Sequence, residues 1–260
     1  MRHKAGPRPN LIALLLAALA FLCLPALLAF AQAGTVPSSR VSDLAYESAR
    51  PGLARDLEAE GLSLGSPVFL RITKAPAELT AYVQDANGVY KPFRTWPVCS
   101  VSGTLGPKKA EGDGQAPEGF YTVKPAQMNP SSSYHLSFNL GYPNAFDRAH
   151  GRTGSFLMVH GNCVSIGCFA MTDPVIEQIW TLMQAAFANG QSEVPVHIFP
   201  FPMTEVNLKA HAGDADAAFW SQIAPAWTSF DQTGQVPKVT VSGKRYQVFA
   251  AHQGDSGAPR

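Results

Sequence analysis

Charge is scarce in this chain. Only 15% of its 260 residues are Asp, Glu, Lys or Arg, and the formal net charge is +1. Even that small excess is local: Arg2, Lys4 and Arg8 precede every acid, and the remaining 17 of the 20 basic residues face 19 acidic ones. A slightly acidic body lacks the basic footprint of a nucleic-acid binder, so no nucleic acid partner is expected. Internal repeats and low-complexity tracts are also absent, which excludes solenoid and tract-like architectures. No glycine-rich loop follows a strand and opens a helix, so a phosphate-cradling nucleotide site has no support. Cysteine is sparse too: there are four, with no C-x-x-C pair.

Other features are plentiful. Apolar residues make up 46% of the chain, ample for a buried core. The 22 glycines and 21 prolines point to many turns and to more strand than helix.

The N-terminus has a basic start followed by an uncharged run, Leu11 to Ala31, that ends in small residues. This is the layout of a secretory signal with an A-x-A-like cleavage site, and Pro25 late in the run favours that reading. The alternative is an uncleaved anchor, because the run is about long enough to span a bilayer. Either way the body is expected outside the cytoplasm, in the periplasm, touching membrane only through this segment if uncleaved. Cys23 follows Leu22, a bulky residue where a lipoprotein signal needs a small one, so lipidation is not expected.

The chain is expected to divide into a signal or anchor (1–33), a linker and helical lead-in (34–64), a strand-rich main domain (65–204) and a C-terminal extension packed on it (205–260). Within the lead-in, residues 43–62 read as a short helix broken at Pro51, with Leu53 and Leu57 one turn apart. Strands are expected at 68–73, 78–84, 89–96, 120–123, 136–140, 155–160 and 194–199, with a hairpin signal at Asp85-Ala86-Asn87-Gly88. Residues 173–189 form the clearest helix: Thr172 or Asp173 at its cap, Pro174 in its first turn, Asn189-Gly190 at its end. The extension reads as one helix near 214–227 and a last hairpin around Ser242-Gly243.

One stretch carries chemistry, FLMVHGNCVSIGCFAMTD (156–173). An apolar strand ends in His160-Gly161, and Ser165-Ile166-Gly167-Cys168 stands just before the long helix. A thiol is a poor nucleophile until ionised; a neighbouring imidazole or a helix N-terminus favours the thiolate. A histidine fixed at a strand end can point one ring nitrogen at sulfur while a backbone carbonyl sets its tautomer through the other. Gly167 permits close backbone approach, and the N–H groups at 167–168 can form an oxyanion hole.

The His-Gly followed by Ser-x-Gly-Cys resembles the signature of L,D-transpeptidases with the YkuD catalytic domain. EGDGQAPEGFYTV (111–123) is similar to that family's T-P-x-G-x-F segment, with Ala116 where Thr is usual. SFNLGYPNAFDRAHGRTGSFLMVHG (137–161), GCFAMTD and HIFPFPMT (197–204) resemble its YafK-like branch. The resemblance implies a β-rich α+β fold: a curved, sandwich-like sheet with helix 173–189 packed on it and a helical C-terminal extension. It implies Cys168 as nucleophile, His160 as base, the Gly161 carbonyl as orienter of His160, and the Gly167 backbone in the oxyanion hole. The substrate is then a peptidoglycan stem peptide, attacked at the diaminopimelate carbonyl without a cofactor or metal. Two departures, a short His160–Cys168 loop and Ile166 inside the motif, are shared with the YafK-like branch. Resemblance to that branch implies hydrolysis of an amide joining a lipoprotein lysine to peptidoglycan, with transpeptidation that forms cross-links or attaches proteins as the alternative.

Arg152 is a candidate for holding a stem-peptide carboxylate, with a plain ion pair as its alternative. Tyr142, Asn144 and Ser165 are further candidates for shaping the cleft. His135, beside Tyr134, either lines the pocket or is an ordinary surface histidine. Cys163 is expected to be free or bonded to Cys99, because a bond to Cys168 would disable the enzyme. The rival readings are an inactive peptidoglycan-binding module and a zinc or redox protein using His160, Cys163 and Cys168.

Overall fold

The computed structural model describes residues 35–250. The expected signal or anchor segment, 1–33, lies outside them. No helix among the described residues is long and apolar enough to cross a membrane.

The chain enters through α1 (Arg40–Ala59), opened by a capping box in which Ser39 and Ser42 satisfy each other's backbone N–H groups. The expected break at Pro51 does not occur. A proline inside a helix costs about 3 kcal/mol, but Ala45, Leu53 and Leu57 lie on one stripe that crosses Pro51 and is buried. Burying two leucines offsets a cost of that size.

Two five-stranded sheets follow. The first contains β1 (Val68–Lys74), β2 (Ala77–Gln84), β3 (Tyr90–Pro97), β5 (Gly119–Val123) and β10 (Val194–Phe199), in the order β3-β2-β1-β10-β5. Only the β1–β10 pair is parallel, with Leu70 opposite Val196 and Ile72 opposite Ile198. The second contains β4 (Ser100–Val101), β6 (Met128–Ser132), β7 (His135–Asn139), β8 (Met158–His160) and β9 (Phe169–Ala170), in the order β4-β9-β8-β7-β6. Pro130 sits in β6, at a sheet edge, where its missing N–H breaks no central ladder.

Between the sheets lies the main core. Leu70, Ile72, Val196 and Ile198 from one sheet and Leu136, Phe138, Val159 and Phe169 from the other are buried in one cluster with Ile176, Ile179, Trp180 and Met183 of α3 (Asp173–Ala188). Helix α3 ends at Ala188 with Asn189 as its C-cap, one residue short of the expected 173–189. The fold is thus β-rich α+β and sandwich-like.

The other face of the first sheet carries Phe69, Tyr82, Phe120, His197 and Phe199. It is covered by α5 (Ala217–Thr233), through Trp227 and Phe230, and by the hairpin β11 (Lys238–Ser242)–β12 (Arg245–Phe249). The helix runs beyond the expected 214–227 because Phe230 extends its buried face; Gly234, at φ 64, then stops it. Two short helices, α2 (Ala145–Ala149) and α4 (Glu205–Ala210), are capped by Asn144 and Thr204.

A buried ion pair ties these layers together. Lys74 lies 3.1 Å from Glu118, with both side chains almost wholly enclosed. Glu118 also accepts from the Gly106 N–H and from the Trp220 indole of α5, at 2.8 and 2.9 Å.

Candidate active site

Strand β8 is shorter than the predicted 155–160. Gly154 at φ 153 and Phe156 at φ 53 break the extended run, so pairing begins only at Met158. Positive φ is strained for a bulky aromatic residue. Here it accompanies a particular contact: the Cys168 thiol donates to the Phe156 carbonyl at 3.5 Å.

Strands β8 and β9 are parallel, with Val159 opposite Phe169 and His160 opposite Ala170. One step back, this register sets Cys168 opposite Met158, whose N–H reaches Sγ at 3.4 Å. The same register makes His160 and Cys168 diagonal neighbours across the β8–β9 ladder, with Cys168 one residue before β9 begins. The sequence places Cys168 near the α3 N-terminus, but β9 intervenes, so the helix end is not what the sulfur faces.

His160 is buried and its Nδ1 lies 2.6 Å from the Gly161 carbonyl oxygen. A carbonyl only accepts, so Nδ1 carries the proton and Nε2 is left with its lone pair. Burial lowers the His160 pKa, opposed by the Gly161 carbonyl. Burial likewise raises the Cys168 pKa, against the lowering effects of the Met158 N–H and the Lys108 charge. The resting pair is therefore a neutral thiol beside a neutral imidazole. Tyr134, which sequence reasoning left unassigned, lays its ring 4.7 Å from that of His160.

Gly161 is required by space. A Cβ there would come within 2.5 Å of the Asp173 carboxylate and 3.0 Å of the Tyr134 carbonyl oxygen. That same carboxylate accepts from the Asn162 N–H at 2.7 Å, so Asp173 fastens the turn after His160 rather than capping its own helix. The next residue, Cys163, is bonded to Cys99 with Cα atoms 5.3 Å apart. Its sulfur is thereby consumed, and the zinc reading loses one of its three ligands. Gly167 holds φ 99, a conformation L side chains rarely adopt, beside the Gln115 carbonyl of the 103–119 loop. Ser165 donates to the Cys168 carbonyl at 2.6 Å. Phe156, Val164 and Ile166 are exposed in the segments that flank the sulfur, Ile166 at 92%.

Five of the eight residues singled out from sequence are thus gathered: Cys168, His160, Gly161, Gly167 and Ser165. Three are not. Arg152 makes the ion pair that was its alternative: its guanidinium pairs with the buried Asp147 at 2.8 Å and lies over the Phe146 and Phe219 rings. Tyr142 is buried and donates to the Lys108 carbonyl at 3.2 Å, packing the loop. Asn144 caps α2 and bridges to the Phe120 carbonyl and the Tyr246 hydroxyl, at 2.9 and 2.8 Å. His135 pairs with Glu177 of α3 at 2.8 Å.

Residues 69–207 match the profile of the YkuD domain, the L,D-transpeptidase catalytic domain. The chain belongs to the L,D-transpeptidase family. Its relatives include YafK of Escherichia coli (strain K12), 44% identical over 185 residues that cover 71% of this chain and 75% of YafK. YafK of Escherichia coli O157:H7 matches to the same extent. Among solved structures, the helical cell shape determining protein Pgp2 from Campylobacter jejuni is 19% identical, covering 73% of this chain and 80% of Pgp2 at a TM-score of 0.41. Bdellovibrio bacteriovorus Bd1075 is also 19% identical, covering 64% of this chain and 58% of its own, at a TM-score of 0.36. This L,D-transpeptidase-family chain is accordingly a member of a group of peptidoglycan enzymes.

Proposed function

We propose that Cys168 of this L,D-transpeptidase-family protein attacks the diaminopimelate carbonyl of a peptidoglycan stem peptide, and that water resolves the resulting thioester. His160 Nε2 takes the thiol proton as the S–C bond forms. The N–H groups at 167–168 receive the oxyanion. The C–N bond then breaks, and His160 returns the proton to the leaving amine. His160 next takes a proton from water, which attacks the thioester and frees the carboxylate and the thiol. The preferred leaving amine is the lysine side chain of a peptidoglycan-linked lipoprotein.

One observation carries this reading: the β8–β9 register brings the Cys168 and His160 segments side by side, and the Gly161 carbonyl holds the imidazole proton on Nδ1, leaving Nε2 to accept the thiol proton. Neutral partners suit proton transfer coupled to attack, because neither charge has to be held in a desolvated site beforehand. The Cys99–Cys163 bond supports an exported, periplasmic setting, since disulfides persist in oxidising compartments. The catalytic domain is taken as 65–204 with 205–260 packed on it.

Mass spectrometry of sacculus digests, incubated with the protein and with Cys168→Ala, tests the proposal. Release of lysine-terminated lipoprotein by the active chain alone is the expected result. New diaminopimelate cross-links would replace hydrolysis by transpeptidation, and identical digests from both chains would refute the role of Cys168.

A further inference from the structure

The hairpin that joins β6 to β7 turns within two residues, Ser133 and Tyr134, and its tip stands against His160. The backbone there is strained. His135, the first residue of β7, holds φ 68, a conformation that is uncommon for any residue with a side chain and free of penalty for glycine. Strain of this kind persists where neighbouring groups over-determine the geometry. Here His135 Nε2 lies 2.8 Å from the Glu177 carboxylate, which ties the turn to α3.

Two further bonds fix the tip. The Tyr134 N–H donates to the Ser132 hydroxyl at 3.0 Å. The Tyr134 carbonyl accepts from the Gly161 N–H at 3.1 Å. Gly161 is also the residue whose carbonyl holds the proton on His160 Nδ1. One residue therefore grips the turn through its N–H and the imidazole through its carbonyl. These hydrogen bonds of Tyr134 run through its backbone, which leaves the side chain to act through its ring.

That ring lies 4.7 Å from the imidazole, centre to centre, with the planes 36° apart. His160 is 3% exposed and Tyr134 45%, so the phenol forms an outer layer over the histidine. An imidazole held only at Nδ1 can still swing about its Cβ–Cγ bond. An aromatic face laid against it restricts that swing, and aromatic pairs of this separation attract beyond their area of contact. The attraction grows when the imidazole gains a proton, because an aromatic face favours a cation. A contact that strengthens as the charge develops lowers the barrier rather than only the ground state.

We propose that Tyr134 is a positioning residue for acyl transfer. Its ring fixes the plane of the His160 imidazole so that Nε2 faces Cys168, and it favours the imidazolium formed when the thiol proton moves to Nε2. The proposal rests on the Cys168–His160 reading above.

The test compares the full native chain with Tyr134→Phe, which keeps the ring, and Tyr134→Leu, which removes it from a partly exposed position. On stem peptide, Tyr134→Leu is expected to lower kcat about 10-fold with KM unchanged, the scale of one aromatic–cation contact. Tyr134→Phe should stay within about 2-fold of the native chain. A second readout needs no turnover: long-range 1H–15N spectra of the His160 ring, assigned by comparison with His160→Gln. A single Nδ1–H tautomer is expected in the native chain and in Tyr134→Phe, and averaged nitrogen shifts in Tyr134→Leu. Native kcat in Tyr134→Leu, an equal loss in Tyr134→Phe, or a KM rise in place of the kcat loss would each overturn the proposal. So would a His160 spectrum that Tyr134→Leu leaves unaltered. If the native chain cleaves no stem peptide, the catalytic reading alone fails, and the spectra still decide whether Tyr134 holds the imidazole.

Discussion

Replacing both Cys99 and Cys163 with serine is the sharpest test of how the nucleophile loop is held. The bond closes a loop of sequence separation 64, for which the chain-entropy relation gives about 4 kcal/mol of stabilisation. For a domain of this size each kcal/mol moves the melting temperature by about 2–4 °C, so a fall of roughly 8–16 °C is expected. The bond also sits midway along the turn between His160 and Cys168. With it gone, that turn keeps the Asn162–Asp173 and Ser165–Cys168 hydrogen bonds and the Cys163 N–H bond to the Met171 carbonyl. Those local links leave the turn free to shift by a fraction of an ångström, and misplacement approaching 1 Å costs about 100-fold in rate. A kcat loss of about 10-fold on stem peptide is therefore expected. Thermal melts and steady-state kinetics of the double variant measure both, and wild-type protein kept in reductant should reproduce them. A melting temperature within about 2 °C of the wild type, with kcat unchanged, would refute the reasoning. A lower melting temperature with full kcat would refute only the link to the sulfur.

Other outcomes follow from the same geometry. In the proposed mechanism His160 must be neutral to accept the thiol proton, and burial holds its pKa below the ordinary 6.5. The acid limb of kcat/KM is thus expected to fall below pH 6.5, and a limb above that value would refute the burial argument. Burial holds Cys168 above the ordinary 9.0, so alkylation by iodoacetamide should be slow at neutral pH and rise only past 9.0. Arg152→Ala leaves Asp147 buried without its cation, a loss of about 3–5 kcal/mol readable in urea melts. KM should stay unchanged in the folded fraction; a raised KM at full stability would return Arg152 to the substrate. Below pH 6.5 the unfolded chain takes up a proton that folded His197 refuses down to about 3. Stability should therefore decline as pH falls through that window, by about 1.4 kcal/mol per unit from this group, and His197→Leu should flatten the slope.

Much of this was legible because it is local. His160 and Cys168 stand eight residues apart, and the strand end and the turn that join them are written in adjacent residues. Helix α3 and strand β10 carried clean periodicities. The break predicted at Pro51 failed because local propensity says nothing about the surface that Leu53 and Leu57 bury. Strands β4 and β9 hold two residues each, too few for any alternation to show. The burial of the Arg152 ion pair is invisible in sequence: Asp147 looks like any loop acid until Tyr121 and Asn144 close over it. The approach of the Gln115 carbonyl to Gly167 likewise depends on a loop whose path is set by distant partners, Lys74 and Trp220.

The hydrogen bond from the Trp220 indole to Glu118 has a practical meaning for anyone dividing this chain. The family profile ends at residue 207, but the carboxylate that steadies the loop beside Gly167 takes one of its donors from residue 220. A chain cut at 207 would retain every residue of the nucleophile site, yet it would leave Glu118 short of a partner and bare the Phe199 and Phe201 rings. The stretch that matches the family and the stretch from which Glu118 draws its partners are different lengths of polypeptide here, and the longer one sets where the chain can be trimmed.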